Sequence, residues 1–365
     1  MNKCLHTELS SPEGTRGQFN GRSGAIKIGI ELHQAFHVVV VQAGGSLPKP
    51  AQRMAKGAFL PWAAKLRRAH PGVAIHAVYE ACGFGFGLQR QLSALGIHCH
   101  VVCPQKLDER HQRVKTDGRD AKALCQKLDR YVEGNTDALA LVRVPTEAEE
   151  QARALHRQRE QLVRTRKQLV AHGRSLMVNH GIEPVNNWWK PRPFARLELP
   201  GWLQTLLNNT QPLLVSLEAQ IRQLTLQLET SATPGQPRGL GALSSVVIDR
   251  EIGDWHRFQN RRQVGSYTGL CPGEYSSGQT RLQSCVSKHG NPRLRAALVE
   301  TAWRLVRFQP NYRTVLKWRH LLAKGALATG AARKKAITAV ARQLAVDLWR
   351  IRTGQLQPEK LGLVI

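Results

Sequence analysis

The chain has 365 residues and is 42% hydrophobic, enough for proper cores over two or three domains, which excludes a disordered tail. Lys and Arg number 53 against 26 Asp and Glu, a formal charge of +27, so the partner is a polyanion and nucleic acid leads; a packing protein of that charge would not need Trp- and Leu-rich segments over so much chain. The opening residues are polar, no run approaches the roughly 18 apolar residues of a membrane span, and seven scattered cysteines suit reduced thiols, so the expectation is a cytoplasmic protein.

After a polar, flexible tail over residues 1–25, the runs IKIGIEL and FHVVVVQAGG read as β-strands joined by the turn HQA. Residues 58–70 read as helix, VAIHAVYEACG as a buried strand ending at Glu80, GLQRQLSAL as helix, and IHCHVVCP as a strand stopped by Pro104. Cys99 and Cys103, with His98 and His100 beside them, lack a second ligand pair at zinc-finger spacing, which argues against zinc. A helix then opens at Thr116 or Asp117, with Ala121, Leu124 and Leu128 on one face. Strands alternating with helices imply an α/β layer with a central sheet over residues 26–145.

From Glu147 the chain reads as long helix, with Leu155, Leu162, Leu169 and Leu176 every seven residues. After the break WWKPRPF, a second arm spaces Leu214, Leu217, Ile221, Leu224 and Leu228 by threes and fours. Residues 146–232 therefore predict coiled-coil arms, paired within the chain or with another copy, because each narrow seam needs a partner. Arg153, Arg157, Arg159, Arg164, Arg166, Lys167 and Arg174 crowd the first arm with few compensating acids. That face is either solvated or laid along a phosphate backbone, and both readings stay open. The cluster TPGQPRGLG opens a C-terminal, mainly helical domain over residues 233–365: a helical run through Ile252, a loop GSYTGLCPGEYSSGQTR, the basic stretch SKHGNPRLR and two basic helices.

Four acids occupy informative places. Glu31 and Glu80 end strands, and Asp117 and Asp120 open a helix three residues apart, on one face. Strand ends and helix starts are where an α/β sheet presents ligands to a crevice. Four converging carboxylates would repel one another unless cations neutralised them, and two magnesium ions about 4 Å apart would do so. Asp117 and Asp120 equally suit capping and the helix dipole without any metal, and Glu31 and Glu80 suit a first exposed position. The joint order of the four favours the metal.

GIELHQAFH, YEACGFG, VVCPQK and KTDGRDAKAL resemble successive motifs of the RuvC-like, ribonuclease-H-fold domain of DEDD transposases of the insertion-sequence one-hundred-and-ten family. The stretch from GLGALSS to RLRAALVE is similar to that family's C-terminal transposase domain, so the resemblance runs from about Ile26 to Trp349 with a coiled-coil segment between. The resemblance implies that Glu31, Glu80, Asp117 and Asp120 are the metal ligands, for two Mg²⁺ ions in the family's manner, and that Ser277, ahead of Gly278, is the catalytic serine. The family usually has aspartate where this chain has Glu31, which keeps the charge and adds a methylene. The resemblance further implies donor and target DNA as substrates, an element-encoded guide RNA as partner, and a homo-oligomer in which carboxylates and serine act together. Arg281, Lys288, Arg293 and Arg295 are expected on phosphates near the serine, as Arg164, Arg166 and Lys167 are along the arm. By itself Ser-Ser-Gly is an ordinary turn. Two other readings remain: a junction-resolving nuclease of the same fold that uses only the carboxylates, and an inactive nucleic-acid-binding protein.

Overall fold

A computed structural model describes residues 24–104, 116–277 and 280–365, without the side chains of Arg281 and Gln283. Residues 1–23 of the tail expected over 1–25, and the motif residues Gln105, Lys106, Lys115 and Gly278, lie outside the described residues, while Ala25 is buried and accepts from the Gly44 amide. The chain is α/β with many helices and divides into two compact units, 1–144 and 145–365.

In the first unit, β1 (Ile26–Leu32), β2 (Phe36–Ala43) and β3 (Gln52–Ala55) form an antiparallel meander, followed by α1 (Lys56–Ala69). Then β4 (Ile75–Glu80) joins β1 in parallel, α2 (Gly87–Ala94) crosses over, and β5 (His98–Val102) joins β4 in parallel. The sheet order is β3-β2-β1-β4-β5, a mixed five-stranded sheet. Helix α3 (Asp117–Val132) covers one face, where Ala121, Leu124, Cys125 and Leu128 pack on Val38, Val40, Val78 and Val102. On the other face Ile26, Ile28, Ile30, Ile75, Ala77 and Tyr79 pack with Phe59, Ala63 and Leu92 of α1 and α2. Burial on both faces explains why these strands read as apolar runs and not as alternating ones.

The alternation matters for the site. Side chains of a strand alternate between faces, so the odd positions of β1 and the even positions of β4 look toward α3. Lys27 reaches Asp129 of α3 at 2.9 Å. Two residues on, Gly29 carries no side chain because α3 leaves none room: a Cβ there would stand 2.1 Å from the Ala121 carbonyl oxygen. Two further on is Glu31, at the end where α3 begins.

In the second unit, α4 (Glu147–Asn179) starts with a capping box: Thr146 Oγ1 accepts from the Glu149 amide and Glu149 Oε2 accepts from the Thr146 amide. After the short α5 (Pro191–Phe194), α6 (Gly201–Thr230) runs back along α4, burying Leu207, Leu214, Ile221 and Leu228 at seven-residue spacing. Contacts of Arg159 with Thr225 and of Arg166 with Glu218 fix the two helices as antiparallel. Beyond them come α7 (Ala242–Ile252), α8 (Arg261–Thr268), a hairpin of β6 (Pro272–Ser277) and β7 (Thr280–Val286), then α9 (Pro292–Phe308), α10 (Arg313–Lys317), α11 (Arg319–Leu322) and α12 (Gly330–Arg352). Leu294, Leu298, Ala302 and Leu305 of α9 pack on Ile337, Val340, Ala341 and Leu344 of α12 in this unit's main core.

The expected loop over residues 265–281 is corrected: its first four residues complete α8 and most of the rest pairs as the hairpin. Within the basic stretch α9 begins: Asn291 caps it by accepting from the Arg293 and Leu294 amides and Pro292 takes the first helical position. No helix of the described residues is long and apolar enough to cross a membrane.

Candidate functional site

The last parallel pair of β1 and β4 is Ile30 with Tyr79, so Glu31 and Glu80 are the next residues on neighbouring strands. Both fall on the face covered by α3, because Gly29 and Val78, two residues earlier, already touch that helix. The first turn of α3 carries Asp117 and Asp120. Its place is fixed by His33, just past β1, whose Nε2 stands 3.1 Å from Asp117 Oδ2. The two groups are neighbours without an aligned hydrogen bond between them. All four acids thus belong to one face and one end of the sheet.

Hard oxygen donors in that number suit magnesium in type. Among the described residues no three His, Cys, Asp or Glu side chains are drawn together as a metal cage. The elements bring the four positions to one end of the sheet without gathering the side chains. Thr116 makes no side-chain cap to α3.

Ser277 is exposed at the end of β6, opposite Thr280, and the connecting Gly278 and Gln279 lie outside the described residues. Its neighbour Ser276 donates to Glu274 Oε1 at 2.7 Å. The base of the hairpin is fastened by backbone bonds: Ser287 N to Cys271 O, Lys288 N to Gly269 O, and Asn291 N to Tyr267 O. A two-residue connection beginning with glycine between short strands is a hairpin signal, and it would have revealed this element in the sequence.

Beneath that base lies a residue the sequence reading passed over. Glu251 of α7 is fully buried and its carboxylate receives Arg157 Nε at 3.0 Å, Arg157 Nη2 at 2.9 Å, Asn291 Nδ2 at 2.6 Å and His156 Nε2 at 2.7 Å. Burial pushes this carboxyl up, but the hydrogen bonds from His156, Arg157 and Asn291 hold it well below the usual carboxylate range. Tyr267 also donates its hydroxyl to the Glu251 carbonyl at 2.9 Å. One buried charge therefore ties α4, α7, α8 and the cap of α9 together under the serine hairpin. Its sequence signal is weak: one of two acids, with Asp249, near the end of a mostly apolar helix.

The basic residues are only partly at liberty. Arg164 pairs with Glu160 at 3.2 Å, Arg293 reaches the same carboxylate from α9, and Arg166 pairs with Glu218. Arg295 donates to the Thr268 and Lys288 carbonyls, each at 3.3 Å. Lys167 and Lys288 are exposed, Lys288 in left-handed backbone at φ 56°. Arg281 lies in β7 and its side chain is outside the described residues.

A sequence model of the IS116/IS110/IS902 transposase family matches residues 236–317, the stretch that holds the hairpin and the Glu251 node. The chain is 31% identical to y4rJ, a candidate transposase of Sinorhizobium fredii, over 90% of this chain and 91% of that protein. It is 30% identical to a second such protein of the same organism, y4qE, over 76% and 75% of the two chains. It is 25% identical to the transposase for insertion sequence element IS1111A of Coxiella burnetii, over 76% and 78%. With this similarity running along nearly the whole length of both chains, the protein belongs to the IS116/IS110/IS902 family of transposases.

Proposed function

We propose that the protein cuts and rejoins DNA to move an insertion sequence, acting in the cytoplasm as a homo-oligomer on donor and target DNA and directed by an RNA encoded in its own element. The observation that supports this chemistry is that the strand ends bearing Glu31 and Glu80 and the first turn of α3, bearing Asp117 and Asp120, lie at the same end of the sheet. Glu31, Glu80, Asp117 and Asp120 would hold magnesium, as two ions in the family's manner, which when bound neutralises charge developing on phosphoryl oxygens.

Ser277 acts as the nucleophile. Its Oγ forms a bond to phosphorus as the bond from phosphorus to a deoxyribose oxygen breaks; the serine hydroxyl gives up its proton and the leaving oxygen gains one. The phosphoserine keeps the bond energy, so a hydroxyl of a second strand reseals the break by the reverse exchange. Exposure of Ser277 on a short hairpin supports this role, because a DNA strand reaches it without the fold opening. Lys288, Arg293, Arg295 and the arm residues Arg164, Arg166 and Lys167 supply positive potential along the backbone, with sequence reading left to base pairing with the RNA.

The test is trapping of a covalent protein–DNA adduct on element-end DNA with magnesium and the cognate RNA. Ser277→Ala is expected to abolish the adduct and Ser276→Ala to keep it. Cleavage that persists in Ser277→Ala without rejoining would instead favour a junction nuclease working through the carboxylates alone.

A further inference from the structure

The strand that ends at Ser277 also bears an unusual apolar pair. Tyr275 is 74% exposed, Leu282 is 63% exposed, and the two are direct partners across the hairpin. Residues two apart on a strand share a face, so Tyr275, Ser277, Leu282 and Thr280 all stand on one side of it. Other large apolar side chains of this unit are exposed too, Leu226 and Leu327 among them, but Tyr275 and Leu282 face each other directly on the strand pair that ends at Ser277. On the hairpin they face solvent and contribute little to folding.

We propose that this face receives an unstacked nucleobase of a DNA strand, with the Tyr275 ring as the stacking surface and Leu282 as its apolar flank. The inference rests on the DNA-acting reading above, but not on Ser277 being the nucleophile. Charge complementarity selects the occupant. The base of the hairpin is followed by the exposed Lys288 and by Arg295, which among the described residues meets only backbone carbonyls, within a chain of net charge +27, and a nucleotide brings an anionic phosphate on either side of its base. Magnitude points the same way. A second copy of the hairpin would bury two apolar side chains per protomer, far short of the roughly 1,000 Å² of a stable interface. One base on one aromatic ring, by contrast, is worth about 5- to 150-fold in affinity. A base held here lies beside the serine, which makes Tyr275 a residue that sets the position of the strand relative to it.

The test uses the full chain with a short single-stranded DNA carrying one 2-aminopurine, and a blunt duplex of the same sequence. Tyr275→Ala is expected to weaken single-strand binding about tenfold, remove the emission change on binding, and leave duplex binding and melting temperature unaltered. Tyr275→Phe keeps wild-type behaviour, because the ring and not the hydroxyl makes the stack; Leu282→Ala gives a smaller loss. Equal losses on single strand and duplex, a Phe variant as weak as Ala, or no loss at all would overturn the proposal. So would a Tyr275→Ala change in sedimentation with unchanged strand binding, which would give the face to a second copy. Run in parallel, Ser277→Ala separates the two assignments: an adduct that survives it strikes the nucleophile alone, while the 2-aminopurine signal tests Tyr275.

Discussion

Burial sets the charge state of two imidazoles far from the carboxylates. His76 and His100 face α3 from β4 and β5, with His76 Nδ1 3.4 Å from His100 Nε2, His98 stacked on His76, and Tyr131 against His100. Burial, then the charges of His98 and Lys27, lowers His76 to about 4; burial, then His76 and His98, lowers His100 to about 4. Both are bases held neutral by the fold. Between pH 6.5 and 4 the unfolded chain therefore binds more protons than the native one, and stability is lost as pH falls through that window. Melting temperature is expected to drop over this range and the double variant His76→Asn, His100→Asn to flatten the drop; an unchanged slope would remove these two groups from the account. The buried Glu251 carboxyl acts in the same direction but at lower pH, because its own value is depressed from that of a carboxylate.

Among the elements, α3 decides whether the carboxylates can meet. It lies so close on β1 that Gly29 has no room for a Cβ, with the Cys125 amide nitrogen 2.6 Å from where one would stand. Those are backbone atoms and cannot rotate away, so Gly29→Ala must displace the helix. The expected cost is about 1–3 kcal/mol, together with loss of any magnesium-dependent rise in melting temperature, read by thermal unfolding with and without the ion; a variant with wild-type melting and wild-type magnesium response would contradict this packing. The helix was legible in the sequence through Ala121, Leu124 and Leu128, and β1, β2, β4 and β5 through their β-branched runs. β3 was not, because its QRMA is polar and largely exposed and is held by backbone pairing with β2. The serine hairpin was missed for a related reason: it buries little, so no apolar pattern marks it. The order of Glu31, Glu80, Asp117 and Asp120 was visible in one dimension. Their shared face follows only from the strand register, and a capping aspartate and a ligand aspartate look alike until that register is known.

At the scale of the molecule, a chain of net charge +27 carries its informative acids in one unit and its candidate nucleophile in the other. The Glu251 node and the cap of α9 give the serine hairpin a rigid base, and α4 and α6 pack along each other as the arms of that unit. The positive surface binds polyanions whatever their sequence. Binding alone therefore does not test the chemistry, and removing single acids should not weaken it. The measurement that does is magnesium-dependent strand exchange between donor and target DNA, with the cognate RNA, by the wild type and by Glu80→Gln and Asp120→Asn. Both variants are predicted to bind DNA as tightly as the wild type and to exchange strands only at background level at every magnesium concentration. Exchange at the wild-type rate by either variant would contradict the carboxylate site.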